Sequence, residues 1–85
     1  MAYKVFFQPS AARELRKLPR DVQTRLLARV EALAADPRPA GVKKLQDLDE
    51  LYRIRVGDYR VVYQIQDQRR VVLVVRIRHR RDVYS

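Results

Sequence analysis

The chain has 85 residues, a formal net charge of +9 and no cysteine. This length suits one domain with a single modest core, spanning residues 1–85, and the lack of cysteine excludes a disulfide framework and a thiolate metal site. The longest purely apolar run covers residues 71–75 and is too short to cross a membrane. We therefore expect a cytoplasmic protein with no membrane contact.

The basic residues outnumber the acidic ones, 19 against 10, and only four of the nineteen are lysine, so fifteen are arginine. Such a charge points to nucleic acid or an acidic protein as partner. A planar guanidinium can hold a phosphate through two parallel hydrogen bonds, which lysine cannot do. A GC-rich genome would also favour arginine codons, so composition alone leaves the choice open.

The first half of the chain predicts a strand followed by two helices. Residues 2–8 alternate as a strand, and Ser10 is placed to cap a helix over 11–18. Apolar residues recur at helical spacing over 21–35 and predict a second helix. Two prolines within 36–41 then require a loop. We expect a helical hairpin that covers one face of a sheet.

The second half predicts a three-stranded antiparallel meander over residues 51–56, 59–65 and 70–78. The loop before it carries Lys43 and Lys44 and an acidic stretch. The expected fold class is α+β, with an N-terminal strand, a helical hairpin and then the meander. The small antiparallel sheet is expected to be covered on one face by the two helices.

Arginines are predicted on the uncovered face of this sheet. If Gly57-Asp58 is a two-residue turn, Arg55 lies directly opposite Arg60. Like charges in such positions destabilise a sheet, so a chain that accepts the cost is expected to present the pair to a polyanion.

The third predicted strand extends the charged surface. With a short odd-length connection around 67–69, Arg76 pairs with Arg60, and Arg78 lies on the same face. The apolar face of this strand would then consist of Val71, Leu73, Val75 and Ile77.

Few other reactions are compatible with the composition. Gly41 and Gly57 are the only glycines, which excludes a glycine-rich phosphate loop. A single histidine with the acidic residues 47, 49 and 50 does not make a convincing ligand set, so we expect no metal and no cofactor.

RNA cleavage by the substrate's own 2′-hydroxyl fits the residues that remain. That reaction needs stabilisation of phosphoryl charge and transfer of a proton. Arginine suits the first task and not the second, because it stays protonated in almost any site. Proton transfer would fall to His79, Tyr84 or Glu50. Equally open are a His79 that only contacts phosphate or solvent and a Tyr84 that packs against the sheet.

Three segments, residues 11–19, 51–63 and 78–84, resemble the RelE-type toxins of the RelE/ParE superfamily, and the similarity extends over essentially the whole chain. The resemblance implies a compact fold like that of microbial ribonucleases. It also implies a type II toxin, a metal-independent endoribonuclease that cuts mRNA in the ribosomal A site and leaves a 2′,3′-cyclic phosphate. The expected partners are a cognate antitoxin protein, in a toxin–antitoxin hetero-oligomer, together with mRNA and the ribosome.

The resemblance also adds to the site predictions. Arg53 and Arg55 fall where relatives have basic strand residues, often lysine, and Arg60 falls on a shared arginine. Arg80 and Tyr84 match the arginine and the near-terminal tyrosine in the C-terminal tail of these toxins. If lysine is the base in relatives, arginine at the first two positions cannot readily replace it. The predicted catalytic residues are Arg53, Arg55, Arg60, His79, Arg80 and Tyr84. The predicted RNA-binding residues are Arg13, Arg16, Lys17, Lys43, Lys44, Arg76, Arg78 and Arg81.

Two alternative functions stay open at this point. A ParE-like toxin would poison DNA gyrase by binding and would have little use for the segment 79–84. A basic RNA-binding module without activity would not depend on His79 or Tyr84.

Overall fold

A computed structural model of the protein describes residues 2–46 and 51–83. The elements in chain order are β1 (Lys4–Phe7), α1 (Pro9–Arg16), α2 (Arg20–Ala32), β2 (Lys43–Gln46), β3 (Leu51–Val56), β4 (Tyr59–Gln66), β5 (Val71–His79) and α3 (Arg80–Val83). The strands form one sheet in the order β1-β5-β4-β3-β2. Every neighbouring pair is antiparallel except β1 and β5, which are parallel. The predicted α+β class is confirmed. None of the helices in this part of the chain has the length and hydropathy needed to span a membrane.

Each of the two main helices begins at a proline or immediately after one. α1 starts at Pro9, whose missing N–H is no loss in the first turn of a helix. Ser10 therefore lies inside α1, Gln8 occupies the N-cap position, and the prediction that Ser10 caps the helix is wrong. α2 starts after Pro19 and ends at Ala32, three residues earlier than predicted.

The core lies between the helices and one face of the sheet. From the helical side, Ala11, Leu26, Val30 and Leu33 are each no more than 1% exposed. The sheet contributes alternate residues of its three central strands, namely Tyr52, Ile54, Val56, Val61, Tyr63, Ile65, Val72, Val74 and Ile77. Both main helices contribute to this core, and we call the opposite face of the sheet the open face.

A strand at the edge of the sheet adds to the predicted meander. Lys43 and Lys44 belong to β2 and pair with Arg53 and Tyr52, although the sequence analysis assigned them to a loop. Four residues with two lysines give little apolar alternation, so this edge strand has no clear sequence signal.

The register of β5 corrects the predicted surface. Gln66 pairs with Val71, so the connection has four residues instead of three, and this moves the pairing by one residue. A β-bulge at Val75 moves it by one more, because the neighbouring pairs are Val62 with Arg76 and Tyr63 with Val74.

The first shift reverses which side chains of β5 face the core, and the second restores the predicted faces. Val72 and Val74 point into the core, and the prediction that Val71, Leu73 and Val75 do so is wrong. After the bulge the original faces return, so Ile77 is buried as predicted.

The end of the sheet away from α3 is held by a polar network. The hydroxyl of Tyr63 donates to the carbonyl of Pro37 at 2.7 Å. The guanidinium of Arg38 donates to both carboxylate oxygens of Asp67 and, through Nε, to the hydroxyl of Tyr52. The hydrogen bond from Arg38 holds the pKa of the Asp67 carboxyl below its usual range. These contacts fix the loop before β2 to the turn between β4 and β5.

Candidate functional site

Basic side chains form two rows on the open face of the sheet. Residues directly opposite one another on neighbouring strands share a face, so the pairing identifies each row. The first row, the three-arginine row, consists of Arg55, Arg60 and Arg78 on β3, β4 and β5. The second row consists of Lys43, Arg53, Val62 and Arg76 on β2 to β5. Six cations therefore lie within two neighbouring rows.

The predicted arrangement of Arg55 opposite Arg60 is confirmed. It follows from the two-residue turn at Gly57 and Asp58, where Gly57 adopts a φ of +59° that suits glycine. The predicted pairing of Arg60 with Arg76 is wrong, because the longer turn and the bulge bring Arg78 to that position instead. Arg78 thereby becomes the third member of the row.

Arg60 is the most unusual residue of this row because its side chain is nearly buried. It is 8% exposed, and it is the one charged residue that counts as buried among those described. Its neighbours across the strands, Arg55 and Arg78, carry the same charge. Its guanidinium donates to the carbonyl of Tyr59 at 3.3 Å, and none of the acidic side chains that the structure describes forms an ion pair with it. An anion bound on the open face would offset this concentration of charge.

Glu14 on α1 supplies a negative charge at the β5 end of the row. β1 pairs with β5 only as far as Val74, so the edge of β5 beyond that point faces α1. Glu14 Oε1 accepts a hydrogen bond from the backbone N–H of Ile77 at 2.9 Å, and Oε2 forms an ion pair with the guanidinium of Arg78. Glu14 therefore fixes both the strand edge and the last arginine of the row.

His79 lies on the other side of the sheet. It is opposite Tyr59, on the face of Val61 and Ile77, and its ring meets that of Tyr59 edge-on at 5.1 Å. Its Nδ1 accepts the backbone N–H of Arg81 at 3.2 Å, at the beginning of α3. The structure does not bring His79 together with the three-arginine row.

The C-terminal predictions are only partly within the described residues. Arg80 is exposed and approaches the carboxylate of Asp58 at 4.0 Å, while its backbone N–H donates to the carbonyl of the same residue. Arg81 is exposed in α3. Tyr84 and Glu50, two candidates for proton transfer, lie outside the described residues.

The remaining predicted RNA-binding residues lie away from the open face. Arg13, Arg16 and Lys17 are exposed on or just after α1. Lys44 is opposite Tyr52 and so belongs to the other face of β2. These four residues do not join the two rows.

The role of Glu14 is not apparent from the sequence. This residue stands between Arg13 and Leu15 in a helix that reads as an ordinary amphipathic one. Its partners are 63 and 64 residues away, and local sequence patterns carry no information about such contacts.

The open face can stabilise charge on a phosphate group. Adjacent strands lie about 4.8 Å apart, so guanidinium groups carried by neighbouring strands can donate to different oxygens of the same phosphodiester. No group of three acidic or histidine side chains converges within residues 2–46 and 51–83. The cations of the two rows offer electrostatic stabilisation and hydrogen-bond donors.

Comparison with known proteins agrees with this architecture. The sequence profile of the ParE toxins of the parDE type II toxin–antitoxin system matches residues 5–84. Toxin RelG of Mycobacterium tuberculosis is 35% identical, with 99% of this chain and 98% of that protein aligned. The mRNA interferase toxin RelE of Escherichia coli is also 35% identical, with 100% and 93% aligned. A chain in the crystal structure of the archaeal RelE–RelB complex from Pyrococcus horikoshii superposes with a TM-score of 0.84 at 30% identity, covering 94% of this chain and 97% of that one. The chain therefore belongs to the RelE/ParE superfamily of type II toxins, as a RelE-type member.

Proposed function

We propose that this chain is the toxin of a type II toxin–antitoxin pair and cleaves mRNA, acting on messages bound in the ribosomal A site. The observation that carries the proposal is the three-arginine row, with a nearly buried Arg60 between two like-charged partners on the open face. The relatives support it, because the RelE protein of Escherichia coli is an mRNA interferase.

The reaction would use the substrate's own 2′-hydroxyl as nucleophile. Its oxygen attacks the adjacent phosphorus, the bond to the 5′-oxygen of the next nucleotide breaks, and a 2′,3′-cyclic phosphate and a 5′-hydroxyl result. Negative charge grows on the non-bridging oxygens during this step. We expect Arg55, Arg60 and Arg78, which lie in one row, to donate hydrogen bonds to those oxygens and so to stabilise the transition state more than the ground state.

One proton must leave the 2′-hydroxyl and another must reach the departing 5′-oxygen. Arginine is a poor candidate for either transfer, because it keeps its proton at physiological pH. His79, Tyr84 and Glu50 stay the predicted groups. The position of His79 on the covered side of the sheet, next to Tyr59, argues against its acting on a phosphate at the open face.

We further propose that a cognate antitoxin neutralises the chain by direct binding. The supporting observation is that similar toxins have been solved as RelE–RelB and RelBE2 toxin–antitoxin complexes. A net charge of +9 makes an acidic partner segment electrostatically favourable.

Poisoning of DNA gyrase is a second candidate function. The observation that favours it is the match to the ParE toxin profile over residues 5–84. Binding to gyrase would not require a row of arginines aligned for phosphate chemistry, so we rank it second.

The experiment is inducible expression in a bacterial host, with mapping of new mRNA 5′ ends and a parallel assay of gyrase. We expect new ends inside translated codons and normal gyrase activity. Intact mRNA together with trapped gyrase would establish the second candidate instead.

Matched arginine variants test the assignment of the site. We expect Arg60→Ala and Arg78→Ala to lower the cleavage rate by about 10²–10³-fold, the usual effect of removing one donor to developing charge. Arg69→Ala, in the exposed turn before β5, removes the same charge away from the open face and should cleave normally. Arg80 lies outside the row, at the beginning of α3. A lower cleavage rate in Arg80→Ala would show that α3 contributes to cleavage, and an unchanged rate would show that it does not. Folded Arg60 and Arg78 variants with normal cleavage would refute the assignment.

A further inference from the structure

The edge of β3 opens onto a basic groove between the sheet and α2, which borders the two rows of the open face. β2 begins to pair with β3 at Lys43 and Arg53, so Ile54–Val56 has no described strand on that side. A cavity of about 360 Å³ lies beside this edge, between the sheet and α2. Its described lining residues are Arg29, Ala40, Gly41, Lys43, Ile54 and Arg55.

The groove is strongly cationic. Arg29, Lys43 and Arg55 approach it from α2, β2 and β3, and no acidic residue is among the described residues that line it. None of the three forms an ion pair with any side chain that the structure describes. Three like charges around one cavity repel one another unless an anion occupies it.

The wall and floor of the groove also suit a nucleotide. A second cavity of about 230 Å³ shares Arg29 and Ile54 with the first, and apart from the acidic Asp36 its other lining residues are apolar, including Leu33 and Pro39. Gly41 lies in the wall with a φ of +87°, and an added Cβ there would meet nothing within 4 Å, so the approach is open. A phosphate at the cations would place a ribose or base beside the apolar surface.

Arg55 connects the groove to the open face. It lines the cavity and is also the end member of the three-arginine row. An RNA strand whose scissile phosphate lies at Arg60 would leave the row at Arg55 and reach the groove next. The continuity favours RNA over an acidic peptide as the occupant.

We propose that this groove is a subsite for a backbone phosphate of single-stranded RNA that flanks the scissile position, with Arg29 as its distinguishing residue. The inference rests on the proposed function for the position of the scissile phosphate. It adds a contact on α2, on the helical side of the molecule, and predicts that substrate is held across the edge of the sheet as well as on the open face.

The test measures binding of a 12-nucleotide 2′-O-methyl RNA, which lacks the attacking hydroxyl and cannot be cleaved by the proposed route. Anisotropy titrations with the full chain at several salt concentrations compare the wild type with Arg29→Ala, Arg29→Lys and Arg20→Ala. Arg20 is the first residue of the same helix, about 13 Å from Arg29 along its axis, and is exposed.

We expect Arg29→Ala to weaken binding about 5–10-fold and to reduce the salt slope by about 0.7, the value for loss of one contact to a single strand. Arg29→Lys should retain most of the affinity, and Arg20→Ala should match the wild type. RNA shortened from either end locates the phosphate, because the difference between the wild type and Arg29→Ala should disappear when the phosphate that fills the groove is removed.

Three results would overturn the proposal. One is equal affinity and slope for the wild type and Arg29→Ala at every RNA length, and another is an equal loss in Arg20→Ala. A third is normal RNA binding by Arg29→Ala together with weaker binding of an acidic antitoxin, which would assign the groove to a protein. Cleavage of mRNA is assayed separately, so wild-type protein that binds the oligonucleotide through Arg29 but cuts no message would contradict the proposed function and leave the groove standing.

Discussion

Glu14 offers a sharp test of how the last arginine of the row is held. Its two carboxylate oxygens serve different partners, the backbone N–H of Ile77 at 2.9 Å and the guanidinium of Arg78. Glu14→Gln keeps a carbonyl oxygen that can accept the backbone hydrogen bond and removes only the ion pair. Glu14→Ala removes both. The two variants therefore separate the two contacts.

The expected loss in the free energy of unfolding depends on how exposed each contact is. The hydrogen bond to Ile77 is half-buried, so loss of its acceptor should cost about 1–2 kcal/mol. The ion pair is about one-third exposed on both sides, 38% for Arg78 and 27% for Glu14, and should contribute at most about 1 kcal/mol. We expect about 2 kcal/mol for Glu14→Ala and under about 1 kcal/mol for Glu14→Gln.

The assay is urea and thermal unfolding of both variants beside Glu31→Ala. Glu31 is an exposed residue of α2 and serves as the control, with an expected change within about 0.5 kcal/mol. For a domain of this size, about 2 kcal/mol corresponds to a fall in Tm of roughly 8–16 °C. Equal destabilisation by Gln and Ala would refute the reasoning, because it would mean that the ion pair and not the backbone contact dominates.

Three further predictions concern the fold. Tyr63→Phe removes a buried hydroxyl that donates to Pro37 at 2.7 Å, and we expect a loss of about 1–2 kcal/mol in urea unfolding, with cleavage unchanged; an unaltered stability would contradict it. The pKa of Asp67 is lowered in the folded state, chiefly by Arg38. The contribution of this carboxylate to stability is therefore present above its unfolded pKa of about 3.9, and it is lost as the pH falls through its folded pKa. Asp67→Asn should therefore flatten the acid side of a plot of stability against pH, and an unchanged slope there would count against this ion pair. Arg70 has a φ of +55°, and Arg70→Gly should stabilise the protein by about 1 kcal/mol in thermal unfolding; a lower Tm would show that its side-chain contacts matter more than the backbone strain.

The hairpin at the centre of the site could be predicted from the sequence. Alternation over β3 and β4 and a glycine at the turn determine both the faces and the register, and Arg55 does lie opposite Arg60. Local patterns are sufficient here because a two-residue turn leaves little freedom in the pairing.

The third arginine of the row could not be predicted in the same way. A four-residue turn and a bulge at Val75 each shift the pairing by one residue, and neither has a signature in a run of valines. The result is that Arg78, and not Arg76, stands opposite Arg60. The face of His79 does not depend on these shifts, because the residue after Arg78 points to the other face in the predicted register as well.

The contacts between the helices and the sheet could not be predicted from the sequence either. Glu14 meets Arg78 only because β1 pairs with β5 in parallel and ends at Val74, which leaves an edge for α1 to cover. That topology depends on packing between segments more than 60 residues apart. Likewise the groove beside Arg29 exists because β2 is short, and four residues with two lysines are a weak signal for a strand.

The most direct test of the central claim is cleavage of a ribosome-bound message that carries a single 2′-deoxynucleotide at the mapped cut, in the presence of enough EDTA to remove free transition metals but with the Mg²⁺ that ribosomes require. We expect this position to resist cleavage, while the all-ribose message is cut to give a 2′,3′-cyclic phosphate and a 5′-hydroxyl. For Arg60→Ala on the all-ribose message we expect the same products at a rate about 10²–10³-fold lower. Cleavage of the deoxy-substituted message at the same position, leaving a 3′-hydroxyl, would contradict the account, because water and not the substrate's hydroxyl would then be the nucleophile.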